Sequence, residues 1–299
     1  MVSEQGRVVV TCPAKLNLFL EVVGRREDGY HEIDTVMQAV DLCDELVIEP
    51  RADGLVVLEC DDPELPTDEG NLVVRAALAL REATGCRAGA SVRLTKRVPA
   101  QAGLGGGSSD AAGALVGLNT LWGLGLGVEE LVPVAAAVGS DVAFFLWGGT
   151  ARCRGRGEVV EALGVGGVFR YVLVCPGVGV PTGAAYGKLR FPLTPVGADI
   201  SMTVQSVANS DAGGVARALF NRLEGPACAL RPELLAVRER LMECGLFSGV
   251  CMTGSGSALF GVCEPKVWAR AGRCVGTMGL GAVWCVSSVG HGATARWVP

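Results

Sequence analysis

The chain predicts an α+β protein of two domains, and three observations predict it. Its 299 residues are about twice the common domain length of roughly 150. In the first half, strand-like runs precede long helical patterns, the order of a sheet with helices packed on one face. In the second half, the periodic segments follow a β-α-β-β-α-β-like order, that of a ferredoxin-like sandwich. The glycine-rich stretch 164–167 is the linker candidate, so the division is expected near residue 160, with 1–160 and 161–299 as the two parts.

Composition excludes several classes. With 49% hydrophobic and 19% charged residues, the chain is globular rather than disordered. A net charge of −5 lacks the basic face that nucleic acid requires, so no nucleic-acid partner is expected. No apolar run approaches the roughly 18 residues of a membrane span. The stretch 1–7 also lacks the basic-then-apolar order of a signal peptide, so a cytoplasmic protein without a membrane partner is expected. The 12 cysteines stand singly, with no CxxC pair. They read as buried reduced thiols rather than metal ligands.

Taken in order, residues 7–12 form a strand-like run that leads into Pro13-Ala14-Lys15-Leu16-Asn17-Leu18. Alternation puts Lys15 and Asn17 on one side, with Leu16, Leu18 and Leu20 on the other. A strand lysine is usually a solvated surface residue. The turn that follows, Gly24-Arg25-Arg26-Glu27-Asp28-Gly29-Tyr30-His31, gathers arginines, an aromatic and one of only two histidines, and reads as a binding loop. Residues 34–40, 45–49 and 55–60 read as three further strands, and 61–69 as an acidic, proline-bearing loop. A helix over 71–84 has Asn71 as N-cap and Gly85 beyond its end. A strand over 90–98 follows.

The next stretch organises the chain: Pro99-Ala100-Gln101-Ala102-Gly103-Leu104-Gly105-Gly106-Gly107-Ser108-Ser109, then Asp110 and an alanine-rich helix. The glycines allow positive φ and close approach to a ligand, an expectation that includes Gly106. Ser108, Ser109 and Asp110 are the residue types that favour a helix N-terminus. Free N–H groups there, with the helix dipole behind them, form a phosphate cradle. No Gly-Lys-Ser/Thr follows, so it is not a Walker loop, and the βαβ context of a dinucleotide fingerprint is missing. A flexible linker would have polar flanks, whereas these flanks are strand-like and apolar.

Residues 128–138 predict a helix closed by Gly139. In Gly139-Ser140-Asp141 a single carboxylate opens an apolar run, and it reads equally as a helix cap or a functional acid. Residues 150–156 and 158–163 form a hairpin. The second half opens with a strand over 171–175, and a turn then carries Thr182 toward Tyr186. A helix within 227–244 is started or kinked by Pro232. Residues 250–261 read as two strands joined by a second glycine loop, Thr253-Gly254-Ser255-Gly256. A helix over 265–278 and a strand over 282–289 finish the order, and His291 reads as a surface residue.

Three separated motifs, Pro13 to Leu18, Gly103 to Ala112 and Met252 to Gly261, agree on one family. The chain resembles the small-molecule kinases that include galactokinase, homoserine kinase, mevalonate kinase and phosphomevalonate kinase. Among them, Pro-Ala-Lys-Leu-Asn-Leu followed by Arg-Arg-Glu-Asp-Gly-Tyr-His-Glu is similar to the 4-diphosphocytidyl-2-C-methyl-D-erythritol kinases, which catalyse the ATP-dependent step of the non-mevalonate isoprenoid pathway. The resemblance runs over essentially the whole length. It implies a ribosomal-S5-domain-2-like N-terminal half, a ferredoxin-like C-terminal half and a site in the cleft between them.

The resemblance further implies that Lys15 and Asp141 are the catalytic pair and that Pro99 to Ser109 hold the ATP phosphates. Asn17, Tyr30 and His31, with Thr182, would contact the cytidine diphosphate part of the acceptor, and Tyr186 would close over the cytosine as an aromatic lid. Where the family often shows Asn-Asp-Leu-Glu, this chain has Asn221-Arg222-Leu223-Glu224, so no role passes to Arg222. The residues themselves fit γ-phosphoryl transfer: the loop neutralises phosphate charge, Asp141 accepts the hydroxyl proton, and Lys15 stabilises the emerging charge. Magnesium is expected with ATP, with Ser109 as one contact and its other ligands unassigned. A monomer or weak homodimer is expected. A kinase for a sugar, homoserine or mevalonate-like acceptor, and a non-catalytic nucleotide-binding regulator, remain alternatives.

Overall fold

The computed structural model describes residues 6–191, 193 and 198–299. Residues 1–5, part of the stretch read above for a leader, lie outside the described residues. The first part of the chain runs β1 (Arg7–Arg25), β2 (His31–Arg51), β3 (Val56–Cys60), α1 (Leu72–Thr84), β4 (Gly89–Thr95), α2 (Gly106–Leu121), α3 (Val128–Val138), α4 (Val142–Trp147), β5 (Thr150–Gly155) and β6 (Val159–Ala162). Then come β7 (Arg170–Cys175), α5 (Thr182–Gly187), α6 (Ile200–Ala208), α7 (Ala212–Ala218), β8 (Phe220–Asn221), α8 (Glu224–Leu230) and α9 (Glu233–Glu243). The chain closes with β9 (Gly249–Met252), β10 (Leu259–Cys263), α10 (Trp268–Gly276), β11 (Ala282–Ser287) and β12 (Thr294–Val298).

Two sheets carry the architecture. The first has the order β12-β1-β2-β4-β3, with β5 continuing on β2, β6 on β5 and β8 on β1. Its spine is the long antiparallel pair of β1 and β2, in which Lys15 faces Ala39 and Asn17 faces Met37. The runs read separately as 34–40 and 45–49 are one strand. A register shift between Pro13 and Ala14 absorbs the intervening residues as a bulge, so the ladder bends without ending. The second sheet, β11-β7-β10-β9, has the strand order of a ferredoxin-like layer. The last strand, β12, pairs with β1 rather than with the second sheet.

Helix α2 lies against the first sheet because its small residues let it approach closely. A Cβ at Gly113 would stand 2.3 Å from Cys12 Sγ, and one at Gly117 would stand 2.4 Å from Ile48 Cδ1. Val10, Ile48, Leu80, Leu115, Phe144 and Phe145 fill the core between this sheet and α1–α4. A second core joins the two sheets, with Leu16, Leu18 and Val36 meeting Tyr171, Leu173 and Phe260. The far face of the second sheet packs on α9 and α10 through Val172, Leu259, Leu241 and Val275. Within 227–244, Pro232 starts a segment as expected: it is the N-cap of α9, after α8 has ended at Leu230, since proline cannot donate the backbone bond that would carry one helix through.

Candidate active site

The three motifs, two of them glycine-bearing, meet at one point through their backbones. Lys15 N donates to Leu104 O at 2.9 Å, and Ala258 N donates to Ala102 O at 3.1 Å. The second and third motifs interlock: a Cβ at Gly103 would stand 2.2 Å from Thr253 O, and one at Gly254 would stand 2.8 Å from Gly103 O. Both glycines have positive φ, +79° and +56°, so these contacts need residues without a Cβ. The loops border a cavity of about 990 Å³.

Lys15 is 3% exposed, not solvated as strand lysines usually are. Its ammonium donates to Asn17 Oδ1 at 2.6 Å and to Gly103 O at 2.8 Å. Asp141 Oδ2 lies 3.8 Å away. Burial pulls the Lys15 pKa below its usual value, and the neighbouring Asp141 charge opposes that shift. Asn17 is fully buried and acts as a hub. Its Oδ1 also accepts from Gly254 N at 3.0 Å, and its Nδ2 donates to Thr35 Oγ1 at 2.9 Å. Thr253 Oγ1 in turn accepts from Asn17 N at 3.0 Å.

Asp141 precedes α4, but its side chain makes no capping hydrogen bond to that helix. Asp141 nonetheless holds the N-cap position of α4, and it lines the cavity. Gly157 leaves room for it: a Cβ there would stand 3.2 Å from Asp141 Oδ1. The apolar run behind Asp141 is the short helix α4, every residue of which through Leu146 is buried.

At the cradle the sequence reading needs two corrections. Helix α2 begins at Gly106 with Gly105 as its N-cap at φ +72°, so Ser108, Ser109 and Asp110 lie inside the first turns rather than capping it. Gly106 itself is helical. Positive φ belongs instead to Gly103 and Gly105 and, without a glycine, to Gln101 at φ +53°. Pro99 to Ser108 line the cavity. Ser109 Oγ and Asp110 Oδ1 are buried polar atoms with no hydrogen-bond partner, a donor set that fits a hydrated divalent cation.

Beneath the cradle lies a charge cluster that sequence reading missed. Lys96 Nζ bridges Asp44 Oδ2 and, at 2.8 Å, Asp110 Oδ2. Asp44 Oδ1 also accepts from Arg97 N at 2.5 Å and Val98 N at 2.8 Å. Burial and the Asp44 charge push the Asp110 carboxyl well above the ordinary range. For Lys96, burial works downward, but the two carboxylates outweigh it and raise its pKa. Long-range pairs such as Asp44 with Asp110 leave no spacing signal in the chain.

The cavity also has an aromatic lining. His31 and Tyr186 stack with centroids 4.7 Å apart, and Phe191 stacks on His31 at 5.9 Å. The Arg156 guanidinium sits over the Tyr30 ring at 4.8 Å. Thr182 Oγ1 and Ser255 Oγ, both in the cavity lining, share a hydrogen bond of 2.8 Å. Tyr30, His31, Thr182 and Tyr186 all line the cavity, and so do Phe191 and Arg156, which carried no pattern that would single them out. Arg222 is drawn to Glu21 by two bonds of 2.6 Å and is absent from the cavity lining. Among the described residues, no cluster of His, Cys, Asp and Glu could hold a metal by side chains of those types alone. All 12 cysteines are free, and no described helix is long and apolar enough to cross a membrane.

A buried ammonium and a carboxylate, set between a phosphate-type cradle and an aromatic pocket, are equipped to move a phosphoryl group onto a hydroxyl. Comparisons agree. The family model described as GHMP kinases N terminal domain matches residues 71–149, and that described as GHMP kinases C terminal matches residues 203–273. A 4-diphosphocytidyl-2-C-methyl-D-erythritol kinase of Pelotomaculum thermopropionicum is 45% identical over 86% of this chain and 89% of its own. One of Symbiobacterium thermophilum is 46% identical over 85% and 89%. A solved 4-(cytidine 5'-diphospho)-2C-methyl-D-erythritol kinase is 38% identical, with a TM-score of 0.78 over 94% of this chain and 99% of that one. A homoserine kinase of Cytophaga hutchinsonii shares the fold at 22% identity and a TM-score of 0.80, over 99% of each chain.

Proposed function

The chain belongs to the 4-diphosphocytidyl-2-C-methyl-D-erythritol kinases within the GHMP kinases, and on that premise we propose how its cleft works. The protein uses ATP to phosphorylate the 2-hydroxyl of 4-diphosphocytidyl-2-C-methyl-D-erythritol, in the non-mevalonate route to isoprenoid precursors. ATP lies with its phosphates on the loop Pro99 to Ser109 and the start of α2, where backbone N–H groups and the helix dipole meet their charge. The acceptor lies with its cytosine among Tyr30, His31 and Tyr186, near Thr182, and its hydroxyl between Lys15 and Asp141.

In the transfer, the acceptor oxygen forms a bond to the γ-phosphorus while the bond to the β,γ-bridging oxygen breaks and ADP leaves. Asp141 takes the hydroxyl proton. Lys15, held by Asn17 and Gly103 O, stabilises the developing negative charge on oxygen. Asn17 orients that ammonium from beneath, and its backbone neighbourhood borders the acceptor. Magnesium supplies charge neutralisation at the phosphates when bound, and Ser109 Oγ and Asp110 Oδ1 are the unpaired atoms that would face it or its waters. A division of the chain near residue 160, a cytoplasmic location and a monomer or weak homodimer complete the proposal.

The observation that carries this reading is the position of the pair. Lys15 and Asp141, 3.8 Å apart, border the same cavity as the cradle and the aromatic pocket. A coupled ADP-release assay over a panel of acceptors tests it. Rapid turnover is expected with 4-diphosphocytidyl-2-C-methyl-D-erythritol, with competition by cytidine nucleotides. Turnover with homoserine, mevalonate or a sugar instead would contradict it.

A further inference from the structure

His31 is the first residue of β2, and its backbone is fixed by pairing with Arg25. Among the described residues, no hydrogen bond holds its ring; two stacked aromatics do. Tyr186 lies at 4.7 Å and 29°, and Phe191 at 5.9 Å and 20°. Tyr186 comes from α5, whereas Phe191 comes from the loop after it and borders the same cavity. Phe191 is 43% exposed. It borders the cavity that Tyr186 and His31 also line.

We propose that Phe191 is a positioning residue for acceptor recognition: it holds the His31 imidazole at the angle from which that ring meets the cytidine end of the substrate. The proposal rests on the reading of His31 as an acceptor contact. An imidazole on a turn-proximal strand end has two free torsions, and a ring that must present one edge to a base gains from having them fixed beforehand. Two stacked partners fix the plane better than one. Stacking of this kind is worth a factor of roughly three to ten in an equilibrium. The Phe191 contact also covers part of the ring. Burial, aided by the Arg25 charge, lowers the His31 pKa from its ordinary value.

The test uses the full-length enzyme and three variants, Phe191→Ala, Phe191→Leu and Phe191→Tyr. Steady-state constants for both substrates are measured, and the His31 ring is titrated by NMR. Only His31 and His291 occur in the chain, so a His291→Gln background leaves one imidazole to follow. Phe191→Ala and Phe191→Leu should raise the acceptor KM about three- to tenfold, leave the ATP KM and kcat within about twofold, and move the His31 titration upward. Phe191→Tyr, which keeps the ring, should restore both. A leucine variant equal to wild type would reduce Phe191 to apolar bulk, and an unmoved His31 titration, or equal rises in both KM values, would likewise overturn the proposal. A moved titration with an unchanged acceptor KM in both Phe191→Ala and His31→Gln would instead overturn the assignment of His31 on which it rests.

Discussion

At Gly103 and Gly105 the backbone stands at φ +79° and +72°, and in both places a Cβ would collide, with Thr253 O at 2.2 Å and with the Phe145 ring at 2.8 Å. Gly107 is different: it is helical and exposed, and a Cβ there meets only Leu72 Cδ1 at 3.7 Å. Gly105→Ala should therefore lower stability by about 1–3 kcal/mol, whereas Gly107→Ala should fold as the wild type does and affect ATP affinity alone. Thermal unfolding beside nucleotide titration of each variant checks this, and an equally destabilised Gly107→Ala would refute the local geometry. The sequence made this loop legible because glycine density is a local signal. It could not say which glycine turns and which starts the helix, since that depends on Thr253 and Phe145, far away in the chain. Lys15 and Asn17 were legible as one polar strand face, but their burial was not. Burial comes from the third motif closing over them through Thr253 and Gly254.

Helix α2 carries a second dependence at the scale of elements. Its Asp110 shares Lys96 with Asp44 of β2, so the cradle is tied to the strand below it by two carboxylates and one ammonium. The folded Asp110 carboxyl titrates above its ordinary 3.8, first because it is buried and then because of Asp44. Above pH 3.8 the folded chain thus keeps a proton that the unfolded chain has released. This group's contribution to stability is fully present below that pH and is lost as pH rises through the folded value. Asp110→Asn removes the slope, so wild type should lose stability relative to the variant between about pH 5 and about pH 8. Denaturant midpoints at both pH values measure it, and a constant difference would refute the cluster's titration. Element order and type were largely legible, because Asn71, Gly85, Pro232 and the turn glycines punctuate the chain locally. The fusion of 34–40 with 45–49 was not, since a bulge is visible only opposite its partner strand.

Across the whole molecule, the two sheets are fastened through polar groups as well as through the shared core. Tyr171 Oη of β7 donates to Gln38 Oε1 at 2.5 Å, and Gln38 Nε2 donates to Thr150 Oγ1 at 2.8 Å, all buried. Nearby, Val289 N donates to Ala39 O at 2.9 Å, and Ser287 N to Asp41 Oδ1 at 2.8 Å. Tyr171→Phe leaves Gln38 Oε1 buried without that donor. It should cost about 1–3 kcal/mol while unfolding remains a single transition, whereas two transitions by separate probes would show that the sheets unfold independently. The return of β12 to β1 adds a further tie that no local pattern announced.

The proposed mechanism sets one ammonium and one carboxylate at the acceptor hydroxyl, and a double-mutant cycle on kcat tests that claim most directly. Asp141→Asn keeps the side chain's size but cannot take a proton, so kcat should fall by about 10²–10⁴-fold with the Kd values of ATP and acceptor nearly unchanged. Lys15→Met should cost a comparable factor. In the proposed mechanism both groups act on the same hydroxyl, so the double variant should lose far less than the product of the single losses. Multiplicative losses, or near-normal turnover in Asp141→Asn, would contradict the account.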